Sequence, residues 1–201
     1  MRHPPFLGNP ESGVPAIVAF WILFYVWAIS ELYIGWRYRL PAGATRRDRG
    51  SQTVVIASVW AGVAGGIALA ALAPAAEIRP GKDAIFVAGL TLMAIGIVLR
   101  WYAIAVLGRS FTVTVGTSAE QQVVERGPYR YVRHPSYTGS LLTIAGILLC
   151  CLNLLSLLAF LFPLAGYAYR IRVEERALQD GLGEPYRAYM RRTSRLIPFL
   201  L

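Results

Sequence analysis

Apolar residues in this chain gather in long unbroken runs instead of alternating with polar ones. Four runs dominate, at about 14–34, 53–73, 84–107 and 137–168, each near or above the roughly 20 residues that cross a bilayer as a helix. The fourth is too long for one crossing, since about 32 helical residues would reach roughly 48 Å against a hydrocarbon core of roughly 30 Å. Its middle reads Cys150-Cys-Leu-Asn153-Leu-Leu-Ser156, and Asn and Ser are residues that reverse a chain. The pattern therefore predicts an all-α integral membrane protein with five transmembrane helices, the last two forming a tight hairpin.

The first run is longer than the apolar core of a cleavable signal and no small-x-small site follows it, so it is expected to stay as an anchor. It ends in Glu31-Leu-Tyr33-Ile-Gly-Trp36-Arg37, an aromatic and charged interface. Within the second run, Gly62 and Gly66 stand four apart, a spacing suited to close helix packing. The most polar long connection is 108–136, and its Phe111-Thr-Val-Thr-Val115 reads as a short extended piece. After the hairpin, 170–192 reads as a helix leaving the membrane, a break near Gly183, and a short basic helix at the headgroups. Nothing separates two cores, so 1–201 reads as one domain.

Composition sharpens this picture. Hydrophobic residues make up 56% of 201 residues, more than a soluble domain of that size carries, so the surplus faces lipid. The net charge of +9 comes almost wholly from arginine, and the positive-inside bias with anionic headgroups accounts for it without nucleic acid. Arg37, Arg39, Arg46, Arg47 and Arg49 crowd the first connection, whereas Arg79 and Lys82 in the second are offset by Glu77 and Asp83. That bias puts the first connection, the 108–136 segment and the C-terminus in the cytoplasm, and the N-terminus outside. Cys150 and Cys151 have no nearby His or acid to complete a metal set.

The chemistry concentrates in two places. Gly127-Pro-Tyr-Arg-Tyr-Val-Arg-His-Pro-Ser-Tyr-Thr-Gly139 sets rings and guanidinium groups at the mouth of the fourth run. Downstream come Arg170-x-x-x-Glu174-Glu175, Gly183-Glu-Pro-Tyr186-x-x-Tyr189 and Arg195-x-x-Pro198. Both blocks fall on the cytoplasmic side of the predicted topology. Arg170 and Glu174 stand four apart on one helical face, which fits either a plain ion pair or a functional pair at membrane depth. Arg100 is expected to snorkel to headgroups; Arg133 suits a headgroup anchor or a ligand contact equally.

In residue type and order these blocks resemble the Arg-His-Pro-x-Tyr-x-Gly signature and C-terminus of the isoprenylcysteine carboxyl methyltransferase family, over 107–198. The family is related to phospholipid methyltransferases. The resemblance implies use of S-adenosylmethionine in a cytoplasmic pocket built from the loop before the fourth helix and the C-terminal helices. It assigns cofactor contacts to Gln121, Gln122, Val123, Val124, Tyr129, His134, Pro135, Ser136, Tyr137 and Glu174. Family members often carry histidine where Gln121 stands. Arg170 is assigned to the acceptor carboxylate and, with Glu174, to catalysis. No metal is implied. The absence of a G-x-G-x-x-G turn or of alternating strands and helices agrees with a cofactor site made from loops and helix ends.

The implied reaction is methyl esterification of a membrane-embedded isoprenylated cysteine or a similar prenyl or lipid carboxylate. Alanine, glycine and arginine richness points to a GC-rich bacterial genome, hence a prokaryotic member in the inner or plasma membrane. A phospholipid or other amine N-methyltransferase is the alternative, although arginine in the acceptor pocket repels an ammonium. A sterol-reductase-like NADPH enzyme and a non-catalytic membrane protein are the remaining readings.

Overall fold

The computed structural model describes residues 13–38, 45–108, 111–117 and 122–198; Arg39 and Gln121 lie outside them. The first three apolar runs fold as single helices, α1 (Val14–Arg37), α2 (Ser51–Leu72) and α3 (Lys82–Leu107). Each is long and apolar enough to cross a membrane. Ile29, Leu32, Trp36 and Val98 point outward and are well exposed, an arrangement that water disfavours by about 25 cal/mol per Å² and lipid accepts.

The fourth run splits, as its length requires. It gives α4 (Pro135–Cys150), a 3-10 turn (Ser156–Phe160) and α5 (Leu161–Leu182). With 16 residues, α4 spans about 24 Å. Asn153 makes the reversal: its Oδ1 accepts from the backbone N–H of Leu155 at 2.9 Å and of Ser156 at 3.2 Å, while its Nδ2 donates to the Ala73 carbonyl at 2.8 Å. The turn is thereby stitched to the end of α2.

The most extensive helix pair is α3 with α4, running antiparallel. Glycines make that approach possible. A Cβ on Gly96 would lie 2.5 Å from the Gly139 carbonyl oxygen, and one on Gly146 would lie 2.5 Å from that of Gly89. On each helix the two glycines are one heptad apart, so a single seam of small residues runs along the pair. The Gly62 and Gly66 positions also face close neighbours: a Cβ there would meet Pro163 Cδ at 2.7 Å and Leu148 Cδ2 at 2.2 Å. Their expected packing role holds.

Beyond the apolar core, α5 runs on to Leu182, stops at Gly183 with φ 61°, and is followed by α6 (Glu184–Arg192). This is the break and short basic helix that the sequence predicts. Residues 111–115 form a strap, and β2 (Gly116–Thr117) pairs antiparallel with β1 (Thr45–Arg46) ahead of α2. Arg47 N–H donates to the Val115 carbonyl at 2.8 Å. The strap therefore ties the start of α2 to the ground beneath α5.

Arg100 departs from its expected snorkelling. It is buried between α1 and α4, where Nε lies 2.5 Å from Glu31 Oε1, Nη2 donates to Glu31 Oε2 at 2.7 Å, and Nη1 donates to Ser136 Oγ at 3.0 Å. A carboxylate within reach on α1 removes the reason to extend toward headgroups.

Candidate active site

Gly127 opens a 3-10 turn (Gly127–Arg130) at φ 58°, a left-handed conformation that glycine adopts at no steric cost. The chain then reaches His134, the residue capping α4, with Pro135 at the first helical position. Pro135 keeps the preceding residue out of the helix. The C-terminal segment holds this loop down, since the N–H groups of Arg133 and His134 donate to the Ser194 and Arg195 carbonyls at 2.8 and 3.0 Å. The His134 ring lies parallel to Tyr137, with centroids 5.3 Å apart.

A polar cavity forms where this loop meets α5 and α6. Nine sequence-predicted residues line it: Gln122, Val123, Val124, Tyr129, His134, Ser136, Tyr137, Arg170 and Glu174. Pro135 is not among its lining; it shapes the helix start instead. Leu178, Leu182, Tyr186 and Tyr189 close the side nearest α6. Burial, with the Glu174 carboxylate adding, pushes the hydroxyls of Tyr129 and Tyr186 well above the usual phenol range. Both stay neutral, as donors with apolar bodies.

The adjacent glutamates face different ways. Glu174 is 28% exposed and accepts from Tyr137 Oη at 2.5 Å. Glu175 is buried, accepting from Arg133 Nε at 2.8 Å and Arg195 Nε at 3.2 Å, with His134 Nε2 3.5 Å away. Burial opposes the charged form of Glu175, but bonding by His134 and Arg133 wins and holds its carboxyl at about 2. Arg133 is thus a structural tie, also donating to the carbonyls of Met190 and Thr193.

The ion pair that the Arg170 and Glu174 spacing allows is present but long, and Arg170 has closer partners besides. Its Nε is 3.9 Å from Glu174 and donates to Tyr137 Oη at 3.1 Å. Nη1 donates to Asp48 and, at 2.8 Å, to Ser51 Oγ, while Nη2 donates to the Val113 carbonyl at 2.8 Å. The guanidinium is therefore largely occupied. Of the five N–H groups a guanidinium offers, these four bonds leave one, on Nη2, without an acceptor among the described residues.

The charge balance of the cavity follows. Asp48 offsets Arg170 at close range and Glu175 offsets Arg133, so Glu174, 3.9 Å from Arg170 Nε, is the most loosely paired and most exposed carboxylate of the three. Burial alone would raise the carboxyl of Asp48; the N–H groups of Gln52 and Val115, with the Arg170 guanidinium, hold it below the usual range.

A second cavity, about 410 Å³, lies between α1, α2, α4 and α5. Trp27, Val55, Ile56, Val59, Trp60 and Ile144 make it largely apolar. Leu32, Trp36, Ile56 and Trp60 on its rim are exposed, so it opens sideways between α1 and α2. Phe111, Thr112, Tyr137 and Arg170 line both cavities. The strap and these two side chains are the partition.

Sequence reasoning missed Asp48 and Gln52, and it read 111–115 as a short extended piece without placing it at the site. Asp48 sits among Arg46, Arg47 and Arg49 and reads there as a local countercharge. The one available signal was the Asp48-x-x-Ser51 spacing ahead of α2, which places an acidic side chain at a helix start.

Apolar helices of spanning length, ending at adjoining polar and apolar cavities, define a helical integral membrane protein. Residues 88–180 match the family described as isoprenylcysteine carboxyl methyltransferase (ICMT). Protein-S-isoprenylcysteine O-methyltransferase B of Arabidopsis thaliana is 36% identical over 115 residues, covering 56% of this chain and 58% of that protein. The Saccharomyces cerevisiae protein-S-isoprenylcysteine O-methyltransferase is 37% identical over 117 residues, covering 57% and 49%. The chain thus spans between about half and three-fifths of the length of these relatives. A solved structure of the eukaryotic intramembrane Ras methyltransferase ICMT superposes with a TM-score of 0.52 at 28% identity, over 75% of this chain and 53% of that one.

Proposed function

We propose that this chain is one S-adenosylmethionine-dependent methyltransferase domain that esterifies the carboxylate of an isoprenylated cysteine or a similar prenyl or lipid acid. The observation that carries the proposal is the shared wall: a polar cavity and an apolar, laterally open one meet at Tyr137 and Arg170. The relatives named above support the acceptor class. Five crossings suit the chain, with α4 and α5 as the hairpin, and the arginine bias favours a cytoplasmic polar cavity.

The donor set of the polar cavity suits the cofactor. Its partly exposed, loosely paired carboxylate, Glu174, matches a ligand bearing an ammonium and a sulfonium, and neutral tyrosine rings supply faces that attract cations. His134, Ser136 and the α4 start offer donors for a carboxylate, while 122–124 and Tyr129 line the remainder. When bound, S-adenosylmethionine supplies a methyl group on a positively charged sulfur.

The chain's own residues position and exclude. An acceptor carboxylate is ionised at neutral pH and needs no general base, only orientation and a dry surround. Arg170 holds negative charge at the partition. Tyr137 links the two sides, accepting from Arg170 and donating to Glu174. The apolar walls around Trp27, Val59 and Ile144 receive a hydrocarbon tail and keep water out.

The test is methyl transfer from labelled S-adenosylmethionine by purified protein, with farnesylthiopropionic acid and phosphatidylethanolamine offered in parallel. Base-labile label on the prenyl acid is expected. Base-stable label on the amine lipid alone would sink the acceptor assignment.

A further inference from the structure

Arg170 has one N–H to give, and a carboxylate needs more than one donor to be held in a single orientation. The second donor has to come from the wall beside it. We propose that Gln52 is that donor: its side-chain amide binds the acceptor carboxylate together with Arg170 Nη2. This rests on the carboxylate-acceptor reading above.

Three observations converge on Gln52. It lines the apolar cavity at the end where Arg170, Thr112 and Val113 also line it. Its Oε1 accepts from Thr114 Oγ1 at 2.8 Å, which fixes the rotation of the carboxamide and turns Nε2 away from the strap. That nitrogen, two N–H groups with no hydrogen bond among the described residues, belongs to a residue that lines a cavity whose walls are otherwise mostly hydrocarbon. A donor left idle beside an apolar cavity costs stability unless something that enters the cavity uses it.

The frame around Gln52 and Arg170 is common to both. The Val113 carbonyl accepts from Arg170 Nη2, and the hydroxyl of Thr114, the next residue, donates to Gln52 Oε1. At the other end Ser51, the neighbour of Gln52, accepts from Arg170 Nη1 at 2.8 Å, and Asp48 accepts from the Gln52 backbone N–H at 3.3 Å. Strap and helix start therefore set the two donors relative to one another. Asp48 need not leave when the acceptor arrives, because the acceptor uses Nη2 and Gln52 while Asp48 keeps Nη1. A neutral amide adds no charge of its own, so the pair presents one positive charge and two differently directed donors, which selects a carboxylate over a neutral ester or alcohol head.

Steady-state kinetics with farnesylthiopropionic acid compare wild type, Gln52→Leu and Gln52→Glu, each checked for S-adenosylmethionine binding and for its unfolding midpoint. Leucine fills the same space without donors and is expected to raise the acceptor KM about tenfold, with cofactor affinity within about twofold of wild type. Glutamate sets like charges together and is expected to raise it further, to about a hundredfold. An acceptor KM for Gln52→Leu within twofold of wild type overturns the proposal. So does an equal loss of cofactor affinity, which would make Gln52 a general support of the fold. If the folded, cofactor-binding wild type forms no base-labile ester, the carboxylate reading itself fails, an outcome visible before any variant is compared.

Discussion

Arg100 and Arg170 are both buried, and they are held in opposite ways. Arg100 spends two nitrogens on one carboxylate, Glu31, and the third on Ser136. Arg170 divides its bonds among Asp48, Ser51, Val113 and Tyr137, drawn from α2, the strap and α4, and keeps one N–H in reserve. A charge closed on a single partner acts as a strut between helices. A charge spread over several partners is fixed in place yet can still receive a ligand. The neighbouring glutamates repeat the contrast, with Glu175 closed on Arg133 and Arg195 and Glu174 facing the cavity.

The sharpest way to break this comparison is Arg170→Lys, which keeps the charge but loses the spread of donors. We expect kcat/KM for the acceptor to fall roughly a thousandfold, about 4 kcal/mol; a fall under tenfold would place Arg170 with the struts. Next in size is acid lability from Glu175. Its carboxyl goes from 4.5 to about 2 on folding, so it stabilises the fold fully above about 4.5 and loses that contribution as pH falls toward 2, about 3 kcal/mol in all. Glu175→Gln should flatten the unfolding midpoint across that window, and an unchanged pH profile would contradict the assignment.

Glu174→Gln tests the open member of the pair. S-adenosylmethionine affinity measured by calorimetry is expected to drop about thirtyfold, some 2 kcal/mol, with the unfolding midpoint little changed. The smallest effect belongs to Glu31→Gln, because that side chain is 30% exposed and the amide retains one acceptor for Arg100. A loss of about 1 kcal/mol in stability with kcat/KM inside twofold is expected. A tenfold loss of kcat/KM would instead draw Arg100 into the working site.

What the sequence made legible follows from range. Helix runs, the Asn153 reversal and the Gly183 break are local properties of pattern and turn chemistry, and each stands where hydropathy and length arithmetic put it. Residues of the polar cavity were legible because they lie in two compact blocks, 122–137 and 170–174. Asp48 was not, since its pairing with Arg170 spans 122 positions and its own surroundings supply nearer cations. The four-glycine seam was hidden for a related reason: Gly89 and Gly96 are ordinary on their own helix and gain meaning only opposite Gly146 and Gly139.

The strap at 111–115 has a kinetic corollary. Under the proposed function, a thin partition between the two cavities lets a water-borne and a lipid-borne reactant arrive without queuing behind one another. Initial-rate plots for such a machine intersect, and either product can depart first. Bilayer composition then becomes a lever on the rate beside the concentration of the water-borne reactant.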